Sequence, residues 1–161
     1  GGRMIRVGIG YDSHRLVPGR SLILGGQHIE YERGLAGHSD ADAVAHAVTD
    51  AILGASGLED IGTLFPDSDP RWAGADSLFL LHSAVQHARR HGCTPRQVDI
   101  TVIAEAPKLG PYKAAIAQAI ARVLEVEPRH VGVKAKTNEG MGFIGRGEGI
   151  AVIAVATVEA R

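Results

Sequence analysis

The run from Ile150 to Val158 constrains this chain more than any other segment. It reads Ile-Ala-Val-Ile-Ala-Val-Ala-Thr-Val, almost wholly apolar and rich in β-branched residues. Strict alternation would mark a strand with one wet face, whereas an apolar run of this kind marks a strand covered on both. Such a strand belongs inside a sheet with a layer against each side. The rest of the chain supplies three amphipathic helices, enough for one side. The other side calls for a partner.

The remaining elements follow from period and punctuation. Ile5, Val7 and Ile9 alternate with Arg6, Gly8 and Gly10, which predicts a strand over 5–12. Leu22–Leu24, Gly25-Gly26 and His28–Tyr31 predict a short hairpin. Ser39, with Asp42 three residues on, predicts a capping box opening a first helix that runs to Gly54 or Gly57. Residues 58–74 are dense in Gly, Pro and Asp and predict a long functional loop. A second helix starts near Ala75 or Asp76, presents Leu78, Leu81, Val85 and Ala88, and ends at Gly92. Val98–Ala104 alternates as a strand. Pro111 suits the first turn of a third helix with Ile116, Ile120 and Leu124 on its face, and Pro128 bars its continuation. Val131–Thr137 is a further strand. The expected fold is α+β: a mixed four-stranded sheet, three helices on one face, and a short hairpin.

Length and charge bound the function. The 161 residues suit a single domain over 4–161, with residues 1–3 read as a cloning remnant ahead of Met4. The 17 basic and 18 acidic residues leave a net charge of -1 and form no basic patch, and aromatic residues are 4%. Neither a phosphate-backbone surface nor a base-stacking platform is expected, so no nucleic acid partner. No stretch approaches the roughly 20 apolar residues of a membrane helix, and no membrane partner is expected. The lone Cys93 forms no internal disulfide and reads as a small, partly buried residue; the expected location is cytoplasmic.

Four constellations carry chemistry. Asp12-Ser13-His14 lies at a strand end, where residues two apart face one side. Asp42, His46 and Asp50 are spaced by four and share one helix face. Asp12, His14 and His46 together offer one oxygen and two nitrogens with a fourth position open, the donor set of a catalytic zinc site. The segment Gly140–Gly149 holds many glycines and Arg146, which suits backbone N–H groups approaching a phosphate. Glu139, just before it, is a natural ligand for Mg2+ or Mn2+ beside phosphates. Ala104–Pro111, with two prolines and a glycine, fixes a loop that could read a nucleobase edge. His82, His87, His91 and His130 read as surface or satisfied core residues, and His28 as part of the hairpin.

These motifs resemble the 2-C-methyl-D-erythritol 2,4-cyclodiphosphate synthase family, from Arg6 to Val158. The resemblance rests on GYDSH at 10–14, HSDAD at 38–42 with His46, DIGTLFPDSDP at 60–70, APKLGP at 106–111 and KTNEGMGFIGRGEG at 136–149. It implies a homotrimer with active sites between subunits, and one zinc per subunit on Asp12, His14 and His46. It implies His38 and Thr137 as groups that steady the transition state. Substrate contacts are implied at Ser39, Asp60, Ile61 and Gly62, and along Phe65, Pro66, Asp67, Ser68 and Asp69. Ala104, Glu105, Ala106, Pro107, Lys108, Leu109 and Gly110 match the cytosine pocket. Lys136, Thr137, Asn138 and Glu139 match the diphosphate segment, with Glu139 on the Mg2+ or Mn2+, and Phe143 and Arg146 match further contacts. Lys136 stands where threonine is frequent, and Leu109 and Gly110 where bulkier residues occur. The implied reaction cyclises 4-diphosphocytidyl-2-C-methyl-D-erythritol 2-phosphate and releases CMP, as a step of non-mevalonate isoprenoid synthesis. Two other readings stay open: a zinc-dependent phosphoesterase giving a linear product, and a trimer that binds a nucleotide or prenyl diphosphate without turnover.

Overall fold

The computed structural model describes residues 2–161. In chain order the elements are β1 (Met4–Pro18), β2 (Leu22–Leu24), β3 (Gln27–Ile29), β4 (Arg33–Leu35), α1 (Ala43–Ala55) and the single turn α2 (Ile61–Leu64). They continue with α3 (Ser77–Arg90), β5 (Cys93–Ile103), α4 (Lys113–Leu124), β6 (Val131–Lys136), the single turn α5 (Gly142–Gly145) and β7 (Gly149–Ala160). One sheet runs β4-β1-β7-β5-β6, and β2-β3 form a separate hairpin. Only β5 and β6 pair in parallel; the other ladders of the large sheet are antiparallel. None of the helices among the described residues is long and apolar enough to cross a membrane.

The sheet has five strands where the sequence predicted four. The addition is β4, whose three residues pair with Leu16–Pro18. Three residues with Gly34 at their centre show no period to read. Gly34 is required there, since a Cβ would meet the Arg20 carbonyl oxygen at 2.3 Å. The predicted first strand is also longer than 5–12, because β7 escorts it from Met4 to Arg15.

Helices α1, α3 and α4 pack on one face, as the amphipathic patterns require. Their apolar sides meet Val98, Ile100 and Val102 of β5 and Ile150, Val152, Ala154, Ala156 and Val158 of β7, all fully buried. Where α1 crosses β1, the sheet presents bare backbone. A Cβ on Gly8 would lie 2.2 Å from the Ala51 carbonyl oxygen, and one on Gly10 would lie 1.9 Å from that of Ala47. The helix answers with alanines at 47, 51 and 55, so the two backbones come close.

The predicted capping box at Ser39 is corrected by the structure. The N-cap of α1 is Asp42, whose carboxylate accepts from Ala45 N at 3.0 Å, Gly25 N at 2.8 Å and Gly26 N at 2.7 Å. Capping and hairpin anchoring thus fall on one side chain. Asp42 therefore turns away from the face it was expected to share with His46. Burial pushes its carboxyl up to about 6, against the pull of the three N–H groups, and the Asp40 charge adds to the rise.

The opposite face of the sheet is bare. Val7 is 66% exposed and Ile9 68%, with Ile5, Tyr11 and Val155 also exposed beside them. The expectation that β7 is covered on both faces therefore fails within one chain: Ile150, Val152, Ala154, Ala156 and Val158 are buried, but Val155 is not.

Replacing Gly10 with Ala should destabilise the fold by about 3 kcal/mol or more, because backbone rather than a flexible side chain blocks the added methyl. Denaturant unfolding measures it, and a change below about 0.5 kcal/mol would show that α1 does not need this close approach.

Candidate metal centre and substrate clefts

The close approach of α1 brings His46, in its first turn, over the end of β1. Asp12 and His14 share with Gly8 and Gly10 the face of β1 turned to the helix, since side chains alternate along a strand. Asp12 Oδ2 lies 2.7 Å from His14 Nε2 and 3.2 Å from His46 Nδ1. The three ligand atoms lie within 4.8 Å of one another, and no other such cluster of His, Cys, Asp or Glu occurs among the described residues.

Hydrogen bonds settle which ring nitrogens face inward. His14 Nδ1 lies 2.8 Å from the Ala36 carbonyl oxygen, which only accepts, so Nδ1 carries the proton. His14 Nε2 then presents a lone pair to a carboxylate, buried and without a directed hydrogen bond. Two acceptors at this distance call for a cation between them. Burial opposes ionisation of Asp12, but the two imidazoles, whenever they carry a proton toward it, outweigh burial and hold its pKa below the usual carboxylate range. For His14, burial acts downward, and the adjacent Asp12 carboxylate, which would accept a bond from a protonated Nε2, prevails and raises its pKa. The donor set, two imidazole nitrogens and one carboxylate oxygen with room beside them, fits a zinc ion.

Beside this cluster opens a cleft of about 520 Å3. It gathers Asp12, His14, His38, Ser39, His46, Ile61, Gly62, Phe65, Pro66 and Asp67. The predicted loop over 58–74 is more ordered than a plain loop. Asp60 caps α2 by accepting from Thr63 N and Thr63 Oγ1, each at 3.0 Å. Asp50 accepts from Ile61 N at 2.7 Å and so ties α2 to α1, and its carboxyl is raised, chiefly by burial. Asp69 is taken up by Arg71 at 2.6 Å, and that hydrogen bond lowers its pKa. The His38 ring nitrogen Nε2 lies 3.3 Å from the Asp69 carbonyl oxygen. Asp60, Ser68 and Asp69 stand outside the residues lining the cleft.

The other predicted contacts lie elsewhere. Ala104, Glu105, Pro107, Lys108, Leu109, Gly110, Lys136 and Thr137 line a second cleft of about 350 Å3, and Ala106 is not among its lining residues. No residue is common to the two clefts. Phe143 lines a third, smaller hollow that includes His14. Arg146 pairs with Glu148 at 2.5 Å. Glu139 is exposed and stands outside the triad, with a left-handed backbone at φ 54°. The glycine-rich segment contains the single turn α5, where a Cβ on Gly145 would strike the Gly140 carbonyl carbon at 2.1 Å.

The chain belongs to the YgbB family. The family model matches residues 5–159. A 2-C-methyl-D-erythritol 2,4-cyclodiphosphate synthase from Symbiobacterium thermophilum is 59% identical over 155 residues, covering 96% of this chain and 99% of the relative. Among solved structures, a 2C-methyl-D-erythritol-2,4-cyclodiphosphate synthase in a CDP-bound form superposes with TM-score 0.87 at 39% identity, covering 95% of this chain and 99% of that one. The bifunctional IspDF from Campylobacter jejuni superposes with TM-score 0.95 at 42% identity over 99% of this chain. This YgbB chain spans 43% of that longer protein.

Sequence reasoning missed several residues of the site. Trp72 and Leu80 line the first cleft, and Trp72 packs edge-on against Phe65 with ring centroids 5.1 Å apart. Ser77 contacts His46 at 2.8 Å, yet a serine after a long loop gives no local signal. Glu105, expected at the base pocket, turns its carboxylate to Asn138 N at 2.6 Å and Gly140 N at 3.4 Å. It pins the turn carrying Glu139. Glu105→Ala should speed amide exchange at Asn138 by about tenfold, the equivalent of roughly one hydrogen bond. Hydrogen-exchange measurement at that turn checks this, and unchanged protection would remove Glu105 from the role.

Proposed function

We propose that this chain cyclises 4-diphosphocytidyl-2-C-methyl-D-erythritol 2-phosphate to 2-C-methyl-D-erythritol 2,4-cyclodiphosphate and releases CMP. The observation that supports it most is the convergence of Asp12, His14 and His46 beside a cleft lined by His38 and Asp67, in a chain so similar to synthases of that name. In the reaction, an oxygen of the 2-phosphate attacks the β-phosphorus. The bond from that phosphorus to the bridging oxygen breaks, and CMP departs with the electron pair. The nucleophile is already an anion, so the chain needs no strong base. Its task is to bring two anions together and align them.

Zinc on the triad, and Mg2+ or Mn2+ on Glu139, would supply positive charge to phosphate oxygens. This chain's residues position the substrate. Asp60, Ile61 and Gly62, and the stretch from Phe65 to Asp69, take the methylerythritol end, with Ser39 nearby. Ala104 to Gly110 take the cytosine, where loop backbone groups read the base edge. Lys136, Thr137, Asn138, Arg146 and Phe143 hold the diphosphate end, and the glycine-rich turn lets backbone N–H groups approach. His38 and Thr137 donate hydrogen bonds as charge shifts to the leaving oxygen. Incubation with the substrate and Mg2+, followed by mass spectrometry, tests the reading. It predicts CMP and a cyclic product together, and absence of both contradicts it.

His46→Ala should lower zinc affinity by about 100-fold or more and abolish cyclisation while the fold persists. Zinc analysis after dialysis measures this, and a normal zinc content would remove His46 from the ligand set.

The active form is a homotrimer with sites shared between chains. Two features support it. Ile5, Val7, Ile9 and Val155 form an apolar strip on the bare sheet face. Because each is only part-exposed, covering it contributes roughly 1–2 kcal/mol, on the order of 4–7 kcal/mol per chain, a substantial share of the cost of association. Most of the proposed substrate contacts also fall in two clefts that share no residue, so a neighbour's second cleft could complete the first. Light scattering should give three times the 16.9 kDa chain mass. A monomer contradicts this. Activity regained on mixing His46→Ala with a variant disrupted over 108–111 would place each site across two chains.

A further inference from the structure

The Asp40–Ser77–His46 chain of contacts lies behind the metal centre and is used by none of the steps above. Ser77 opens α3 and is fully buried. Its backbone N–H donates to Asp40 Oδ2 at 3.1 Å, and its hydroxyl donates to Asp40 Oδ1 in a short hydrogen bond. Asp40 is held in turn by Asp42 N, which donates to Oδ1 at 3.1 Å.

The direction of these bonds is forced. An ionised carboxylate accepts and cannot donate, so the single hydroxyl proton of Ser77 points to Asp40. Ser77 Oγ can then only accept from its other neighbours, His46 Nε2 at 2.8 Å and the Ser39 hydroxyl at 3.4 Å. Nε2 must therefore carry the ring proton, which leaves Nδ1 as the lone pair facing Asp12 at 3.2 Å. Ser39 Oγ, 3.2 Å from the same Nε2, offers a second acceptor and itself receives Ala41 N at 3.2 Å. The two histidines thus present opposite ring nitrogens: His14 through Nε2, because Ala36 holds its Nδ1, and His46 through Nδ1, because Ser77 holds its Nε2.

We propose that Ser77, with its hydroxyl oriented by Asp40, is a positioning residue that locks His46 in the tautomer able to ligate metal through Nδ1. The proposal rests on the metal reading of the triad. It also gives the junction of the 58–74 segment with α3 a role, since Ser77 ties the far end of that segment to the metal site. Removal of a hydrogen-bond partner behind a metal-bound histidine typically lowers metal affinity 10–100-fold.

The test uses Ser77→Ala and Asp40→Asn. The first removes the acceptor. The second leaves one acceptor oxygen for three donors, Ser77 N, Ser77 Oγ and Asp42 N, so the hydroxyl is no longer held to Asp40 alone and can turn to donate to His46 Nε2, moving the ring proton to Nδ1. Zinc Kd is measured by chelator competition on the purified, folded proteins, and the tautomer by 15N chemical shifts of the histidines in metal-stripped protein. Expected are a 10–100-fold weaker zinc Kd in each variant, Nε2–H in the wild type, and mixed or Nδ1–H signals for His46 in Asp40→Asn. If Ser77→Ala fails to fold, Asp40→Asn decides. An unchanged Kd in a folded variant, or an unchanged His46 tautomer in Asp40→Asn, overturns the proposal. Absence of zinc binding by the wild type would instead overturn the metal reading beneath it.

Discussion

The contact between α1 and the glycine side of β1 sets the geometry of everything at the site. Gly8 and Gly10 leave no Cβ under Ala47, Ala51 and Ala55, so the helix lies against backbone. That closeness lets a histidine in the first turn of α1 reach a carboxylate on the strand within hydrogen-bonding distance. The Asp42 cap fixes where α1 begins, and the same carboxylate anchors the β2–β3 hairpin. Packing, capping and ligand geometry are thus one arrangement. A metal site built on a strand and a helix held this closely is preorganised, since neither element can shift without breaking core contacts.

The two faces of the sheet divide the labour. The helical face buries the core and gathers Asp12, His14 and His46 at one end of β1. The bare face carries Ile5, Val7, Ile9 and Tyr11 into solvent, an apolar strip unusual for a lone chain. The proposed trimer covers it, and in doing so would give the Ala104–Gly110 loop of one chain a route to the Asp12–His14–His46 cluster of another. Assembly and catalysis then depend on the same surface.

Much of this was legible in the sequence, for identifiable reasons. The helices showed 3.6-residue periodicity, and the continuous apolar run of β7 pointed to a sheet needing cover on both sides. Asp12, His14 and His46 were legible as a cluster because strand and helix periods place them on inward faces. β4 was invisible because three residues have no period, and its pairing with Leu16–Pro18 is a tertiary fact. The first helix start was misplaced because Ser39 and Asp42 both satisfy local capping rules. Only the approach of Gly25 and Gly26 decides for Asp42. Ser77 and Glu105 act on residues 31 and 33 or more positions away, across contacts that no local spacing encodes.

The central claim is that phosphate, not water, attacks the diphosphate. Turnover in 18O-enriched water addresses it most directly. If the 2-phosphate is the nucleophile, neither the cyclic diphosphate nor CMP takes up solvent oxygen, and their masses equal those formed in ordinary water. A linear product carrying one solvent 18O would contradict the account, because it would place an activated water where the substrate's own phosphate should be.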